Sequence, residues 1–323
     1  MKLEWKVTPD AAGQRLDKFL RKRLEHMPLS HLYKLVRTKK VRVNGARAEI
    51  AQVLAPGDEI VAHVLQAEPK PPPPRPAAQV PQHFHVLYED EHILACDKPA
   101  GLAIHPGTGI TESTLVDEVR AYLERQGFKP AEGEFKPSPG HRLDRETSGV
   151  VVVARTRQAM VGLTEIFTAG TAHKTYLALA KGRFQKEHGS IDLRLPEHQQ
   201  TMASKQQRGT NMQDALTHWK RLGGGPEATL LELTIETGRT HQIRRHLEAI
   251  GHPVVGDGKY GDFPFNRIAQ RQWGLKRMFL HSMRLALAHP VTKKRLSFVS
   301  PLPEELSAAL PKAGISGWKP SFG

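Results

Sequence analysis

The sequence predicts a two-part α+β protein, in which a small helix-and-hairpin module is tethered by a proline-rich linker to a larger domain built on a mixed, mainly antiparallel β-sheet. Three observations carry this reading. Between Glu68 and Gln82 the stretch "EPKPPPPRPAAQVPQ" holds seven of the chain's 24 prolines and almost nothing that packs. Ahead of it, two short amphipathic helical patterns lead into an Asn-Gly hairpin. Behind it, strand-like apolar runs alternate with helical segments, and 323 residues suffice for two domains.

In "RLDKFLRKRL" the apolar Leu16, Phe19, Leu20 and Leu24 fall at helical spacing, while Lys18, Arg21, Lys22 and Arg23 take the other faces. Ser30 is placed to cap a second helix carrying Leu32, Leu35 and Val36, with Lys34 and Arg37 beside them. "KVRVNGARAEI" then reads as strand, Asn-Gly turn, strand, and "PGDEIVAHV" as a further strand. This module is expected over residues 1–66. The linker, 67–82, is expected as polyproline II, whose span from Pro69 to Pro81 reaches about 40 Å at ~3.1 Å per residue. A single domain follows over 83–312, with a tail at 313–323. Its strands are "HVLYEDEHILACDKP", "GVVVVART", "TYLALAKGRF", "TLLELTIET" and "LALAHP"; its helices are "STLVDEVRAYLERQG", "MVGLTEIFTAG" and "HQIRRHLEAIG", the last closed by Gly251.

The formal net charge of +14 is unevenly spread. Ten Lys/Arg between Arg15 and Arg42 face only Asp17 and Glu25, and Phe263 to Pro303 holds eight Lys/Arg and no acid. Two concentrated basic patches favour nucleic acid as the partner over mere solvation. Arg15, Lys18, Arg21, Lys22, Lys34, Arg37, Lys39 and Lys40 are the candidate RNA contacts of the first module. A single cysteine, Cys96 in the apolar "HILAC", excludes an intrachain disulfide and points to a reducing compartment. The start "MKLEWKVTPD" lacks the apolar core of a signal peptide, and no apolar run approaches the ~18 residues a membrane helix needs. A cytoplasmic monomer with no membrane partner is expected.

"GDGKYG", Gly256 to Gly261, fits G-x-G-x-x-G literally, but only "PVV" precedes it and no acid lies between Asp262 and Glu304 to hold a ribose. A dinucleotide site is therefore not expected. None of the 17 histidines pairs with cysteine and H-E-x-x-H is absent, so no metal site is expected either. Three segments remain. In "HRLDRETSGVVVV", Asp144 sits in a loop between Arg142 and Arg145, before a buried strand; flanking cations favour the ionised carboxylate, though a structural ion pair is an equal alternative. In "HKTYLALAKG", Tyr176 begins an alternating strand, as core or as pocket wall. In "TIETGRTHQIRRHLEAIG", Arg239 falls where a strand gives way to a helix that Thr240 is placed to cap, a junction that commonly carries sites.

Taken together, "HRLDRETSG", "HKTYLAL" and "TGRTHQIR", in this order and spacing, resemble the three signature motifs of the RluA-type pseudouridine synthases, and "DKPAGLAIHPG" and "FLHSMRLALAHP" resemble their flanking segments. The resemblance covers residues from about 83 to 303. The first module resembles the S4 RNA-binding domain that precedes the catalytic domain in many of these enzymes. This implies isomerisation of uridine in RNA, ribosomal RNA being the expected target, with no cofactor. Asp144 is implied as the essential carboxylate, either attacking C1′ or removing a sugar proton, and Arg239 as its partner. Tyr176 is implied to stack on the uracil, with assistance to C5 proton removal open to it. Arg142, with His141 beside it, is implied to bind substrate, filling the space an extruded base leaves. The chain departs from the family pattern at Arg245, Ser282 and Asp97, outside the implied catalytic set.

Overall fold

A computed structural model describes residues 2–24, 27, 29–64, 76–106, 112–130, 134–196 and 212–318. The chain divides into two compact units, Met1–Arg75 and Pro76–Gly323.

The first unit is a four-stranded antiparallel sheet under two helices. Strand β1 (Lys2–Lys6) precedes helices α1 (Leu16–Arg23) and α2 (Leu29–Arg37), then β2 (Val41–Val43), β3 (Ala46–Arg47) and β4 (Glu59–His63), in the order β1-β4-β2-β3. The helices turn Leu16, Phe19, Leu20, Leu32, Leu35 and Val36 onto Val41, Val43, Ile60 and Ala62, as the apolar spacing requires. Asn44 and Gly45 both take positive φ, so the β2–β3 hairpin closes as Asn-Gly predicts. The Asn44 amide then locks the turn to β4, donating to Asp58 and accepting from the Glu59 N–H at 2.8 Å each. The sequence pattern missed β1, and the cap assigned to Ser30 lies outside the described side chains.

The second unit is built on ten strands. In chain order they are β5 (His85–Glu89), β6 (Ile93–Lys98), β7 (Ser138–Pro139), β8 (Ser148–Ala154), β9 (His173–Lys181), β10 (His188–Asp192), then, after the separate small pair β11 (Leu195–Pro196) and β12 (Met212–Gln213), β13 (Leu216–Gly224), β14 (Ala228–Ile235), β15 (Leu280–Ala288) and β16 (Arg295–Val299). The order is β10-β13-β14-β9-β15-β8-β6-β5, with β7 on β8 and β16 on β15. Every pairing is antiparallel except β15 with β8, where His281 meets Ser148 and Ser282 meets Gly149. The expected mixed, mainly antiparallel α+β sheet is therefore what forms.

Helices α3 (Leu115–Arg125) and α5 (Gln242–Ala249) cover one face, laying Leu115, Val119, Leu123, Ile243 and Leu247 on Cys96, Val151, Val153, Tyr176 and Leu233. Helix α4 (Arg157–Thr168) covers the other at Val150, Val152 and Leu285, through Ala159 and Leu163. Helix α6 (Phe263–Trp273), which the sequence reading did not mark, packs Phe265, Ala269 and Trp273 with the terminal helices α7 (Glu304–Ser307) and α8 (Ala309–Lys312). Its signals were present: Asp262 caps it, proline enters its first turn, and Gly274 ends it at φ 72°.

Two expected boundaries move. Residues Ala77–Gln79 form a 3-10 turn whose Ala77 carbonyl accepts from Arg125, so this end of the linker packs on α3; residues 67–75 lie outside the described residues. Ala313 and Ile315 are buried beside Trp273 and Phe279, so the tail begins later than 313. Burial drives the Cys96 thiol far up, which leaves it inert.

Candidate active site

An open cleft enclosing about 440 Å³, including its solvent-facing part, lies on the α5 side of the sheet. Asp144 and Tyr176 face it together with Arg142, Ile235, Arg239, His241 and Arg244. Asp144 is the one acid among its lining residues. It stands in the loop between β7 and β8, where its carbonyl accepts the Thr147 N–H at 3.1 Å and closes a tight turn into the buried β8. Its carboxylate is about one-fifth exposed, enough to meet a ligand while most of its surface is withdrawn from water.

The cation that meets this carboxylate is Arg244. Its Nη1 donates to Asp144 Oδ2 at 2.8 Å, while Nε and Nη2 donate to the two oxygens of Asp257 at 2.6 and 2.8 Å. Asp257 is fully buried and also accepts the N–H groups of Lys259 and Tyr260, so its four bonds hold the guanidinium fork in one orientation. The carboxylates raise the guanidinium's affinity for its proton over the opposing effect of burial.

Three expectations are thereby corrected. Arg239, expected to pair with Asp144, is exposed at the cleft rim and donates Nε to the Asp214 carbonyl. The chain passes through a left-handed turn at His241, φ 55°, before α5 begins, and this puts Arg244 on the inward stripe with Ile243 and Leu247. Nor do Arg142 and Arg145 clamp the carboxylate: both are exposed, and Arg145 donates to the Gly101 carbonyl instead. Thr240 does not cap α5 either. Gln242 reaches back, its Oε1 accepting from the Arg239 N–H and the Thr237 hydroxyl.

The loop bearing Asp144 is anchored from below. Lys98, at the end of β6 and fully buried, donates to the carbonyls of Pro99, Leu102 and Arg145 at 2.8, 2.9 and 3.1 Å. Burial pushes its ammonium down to about 7. Behind the loop, Ser148 hydrogen-bonds His281 Nδ1 at 3.0 Å and accepts from Arg277 at the same distance.

Tyr176 is 7% exposed, at once part of the core and a wall of the cleft, so both readings of the sequence hold. Burial raises its phenol to about 12, with a hydrogen bond to Ser282 opposing, and the hydroxyl therefore stays protonated near neutrality. His241 Nε2 stands 3.7 Å from Asp144 Oδ1, and its Nδ1 shares a 3.0 Å hydrogen bond with the Tyr260 hydroxyl. Tyr260 in turn lies under the Arg244 guanidinium, 5.1 Å from ring to carbon.

Arg142 is exposed at the rim, open to a ligand. His141, expected beside it as a substrate contact, is turned inward: Nε2 accepts the Val152 N–H at 3.1 Å and the ring lies 4.7 Å from Phe167. Burial pushes that imidazole down to about 3, so it is neutral and structural. In the first unit, Lys18, Arg21, Lys22, Lys34, Arg37 and Lys39 are exposed and Lys40 is half-buried; Arg15 pairs with Asp17 at 2.9 Å.

Residues 92–249 match the RNA pseudouridylate synthase family, and residues 14–60 match the S4 domain. The chain is 33% identical over 311 residues to ribosomal large subunit pseudouridine synthase C of Vibrio cholerae, covering 95% of both chains. The chain belongs to the RNA pseudouridylate synthase family. It is also 36% identical over 312 residues to ribosomal large subunit pseudouridine synthase D of Nitrosomonas europaea, covering 95% of this chain and 87% of the relative. Human RNA pseudouridylate synthase domain containing 4 superposes with a TM-score of 0.58 at 26% identity, over 72% of this chain and 94% of that one.

The pseudouridylate synthase match takes in Asp144, Tyr176 and Arg244 but stops short of Asp257 and Tyr260, which complete the site from the "GDGKYG" loop. In that loop the missing side chains of Gly256 and Gly261 serve packing: a Cβ on Gly256 would lie 2.2 Å from the Arg277 carbonyl, and one on Gly261 2.2 Å from the Asp257 carbonyl. The signal for Arg244 was its place beside Ile243 on the apolar stripe of α5; Asp257 had no local signal beyond being an acid among glycines.

Proposed function

We propose that this chain converts uridines of large-subunit ribosomal RNA to pseudouridine, using Asp144 as the group that acts on the ribose. The observation that carries the reading is a single carboxylate among the described residues lining the cleft, bound on one oxygen by a guanidinium whose other nitrogens are fixed on a buried acid. A hydrolytic glycosidase needs a second carboxylate to handle water. An isomerase needs one, because the bond from N1 to C1′ breaks, the uracil turns in place, C5 bonds to C1′, C5 loses its proton and N1 gains one, leaving composition unchanged.

Asp144 either attacks C1′ or removes a sugar proton, and Arg244 serves both routes by holding the carboxylate oriented and charged. The Tyr176 ring offers a flat wall for uracil; its protonated phenol suits stacking more than proton abstraction. Extruding the nucleotide costs a few kcal/mol, which Arg142 offsets by entering the vacated stack and the basic face of the first unit offsets through phosphate contacts. The chain is read as acting as a cytoplasmic monomer; among the described residues no helix is long and apolar enough to cross a membrane.

Mapping pseudouridine in ribosomal and transfer RNA from cells with and without this gene tests the target. Sites lost from large-subunit RNA support the proposal. Loss confined to transfer RNA would reassign the substrate, and no loss anywhere would leave an RNA-binding factor on a catalytic fold.

A further inference from the structure

Lys174 is the second residue of β9, two positions before Tyr176. It is 9% exposed, yet its ammonium makes no hydrogen bond or ion pair among the described residues. Among the described residues, the groups placed against it carry no negative charge. The Phe167 ring lies 5.7 Å away, and on that ring rests the neutral imidazole of His141. Across the strand stands Leu285, and on the open side lies Gly238, where a Cβ would come within 3.8 Å of Nζ and within 4 Å of nothing else. Burial is the influence on its titration, pushing the pKa down with no acid in opposition.

A buried cation with no counter-charge costs free energy in the unliganded protein. An anion supplied by a ligand removes that cost. Gly238, against which the ammonium lies, lines the cleft beside Ile235, Arg239 and Arg142, and Arg142 also makes no ion pair among the described residues. We propose that Lys174, with Arg142 and Arg239 at the rim, forms a binding site for one phosphodiester of the RNA next to the extruded uridine. This rests on the RNA-isomerase reading above and adds the linkage that the chain grips. The absent side chain at Gly238 leaves the approach open, and the phosphate gains charge-assisted bonds, one of them from an ammonium that is only 9% exposed.

The test uses the full chain and a synthetic RNA spanning a uridine of a candidate target, as the native strand and as a series with a single neutral methylphosphonate at each flanking linkage. One position in the series is expected to weaken binding to wild type about tenfold and to have no effect on K174M. K174M binds the native strand about tenfold more weakly, and the slope of log affinity against log salt shrinks by about 0.7. K174Q, a second variant, gives the same pattern, and both unfold at or above the wild-type Tm because an unpaired buried charge is gone. Equal losses in wild type and variants at every linkage, or an unchanged salt slope, overturn the proposal. If the wild type forms no pseudouridine in any RNA, the functional reading falls and takes the phosphate site with it; failed pairing with turnover intact removes the phosphate site by itself.

Discussion

Arg244 binds two carboxylates at once, and its planar fork is what makes that possible. A lysine there reaches one acid and leaves the other unmatched. Arg244→Lys is therefore expected to lower kcat by about 10²–10³-fold with RNA affinity little changed, as when a preorganised donor is lost. Arg239→Ala, at the exposed rim, is expected to weaken RNA binding and to lower kcat far less than Arg244→Lys does. Single-turnover assays on one RNA compare them, and the reverse ranking would restore Arg239 as the partner of Asp144. At this scale Asp144 was legible from its loop, since few residues sit between cations and a run of valines. Arg244 was not, because "TGRTHQIRR" offers three arginines and the choice depends on a left-handed residue at His241 that residue types do not announce.

The parallel pairing of β8 with β15 rests on two residue pairs, His281 with Ser148 and Ser282 with Gly149. Gly149 holds φ 118°, and a Cβ there would stand 2.2 Å from the Ser282 carbonyl. Gly149→Ala thus meets both a disfavoured backbone and a backbone clash, and is expected to cost about 3 kcal/mol or more in urea unfolding, or to prevent folding. Strand and helix identities in this unit were largely readable from period, because β8 is buried at every position and α3 opens on a Thr114–Asp117 capping box. Sheet order was not readable. β9 is joined to β15, which lies about a hundred residues on, and only chain closure brings His281 to Ser148 or Asp257 to Arg244.

Across the whole molecule, charge and burial set the response to salt and acid. Replacing Lys18, Lys22 and Lys34 together by glutamine is expected to weaken RNA binding and shrink the salt slope by about 0.7–0.9 for each phosphate no longer neutralised; an unchanged slope would show that this face does not grip RNA. Fully buried His281, pushed down by burial to about 4, refuses a proton that the unfolded chain accepts below about pH 6.5. Stability is then present above pH 6.5 and falls between 6.5 and 4, by up to about 1.4 kcal/mol per pH unit, and His281→Asn should flatten that decline in urea titrations. The proposed reaction converges on one carboxylate, so the most direct test is release of tritium from RNA labelled at uracil C5 by wild type and by Asp144→Asn. The account requires release by the wild type and none by the variant at nearly equal RNA affinity; turnover retained in the variant would contradict it.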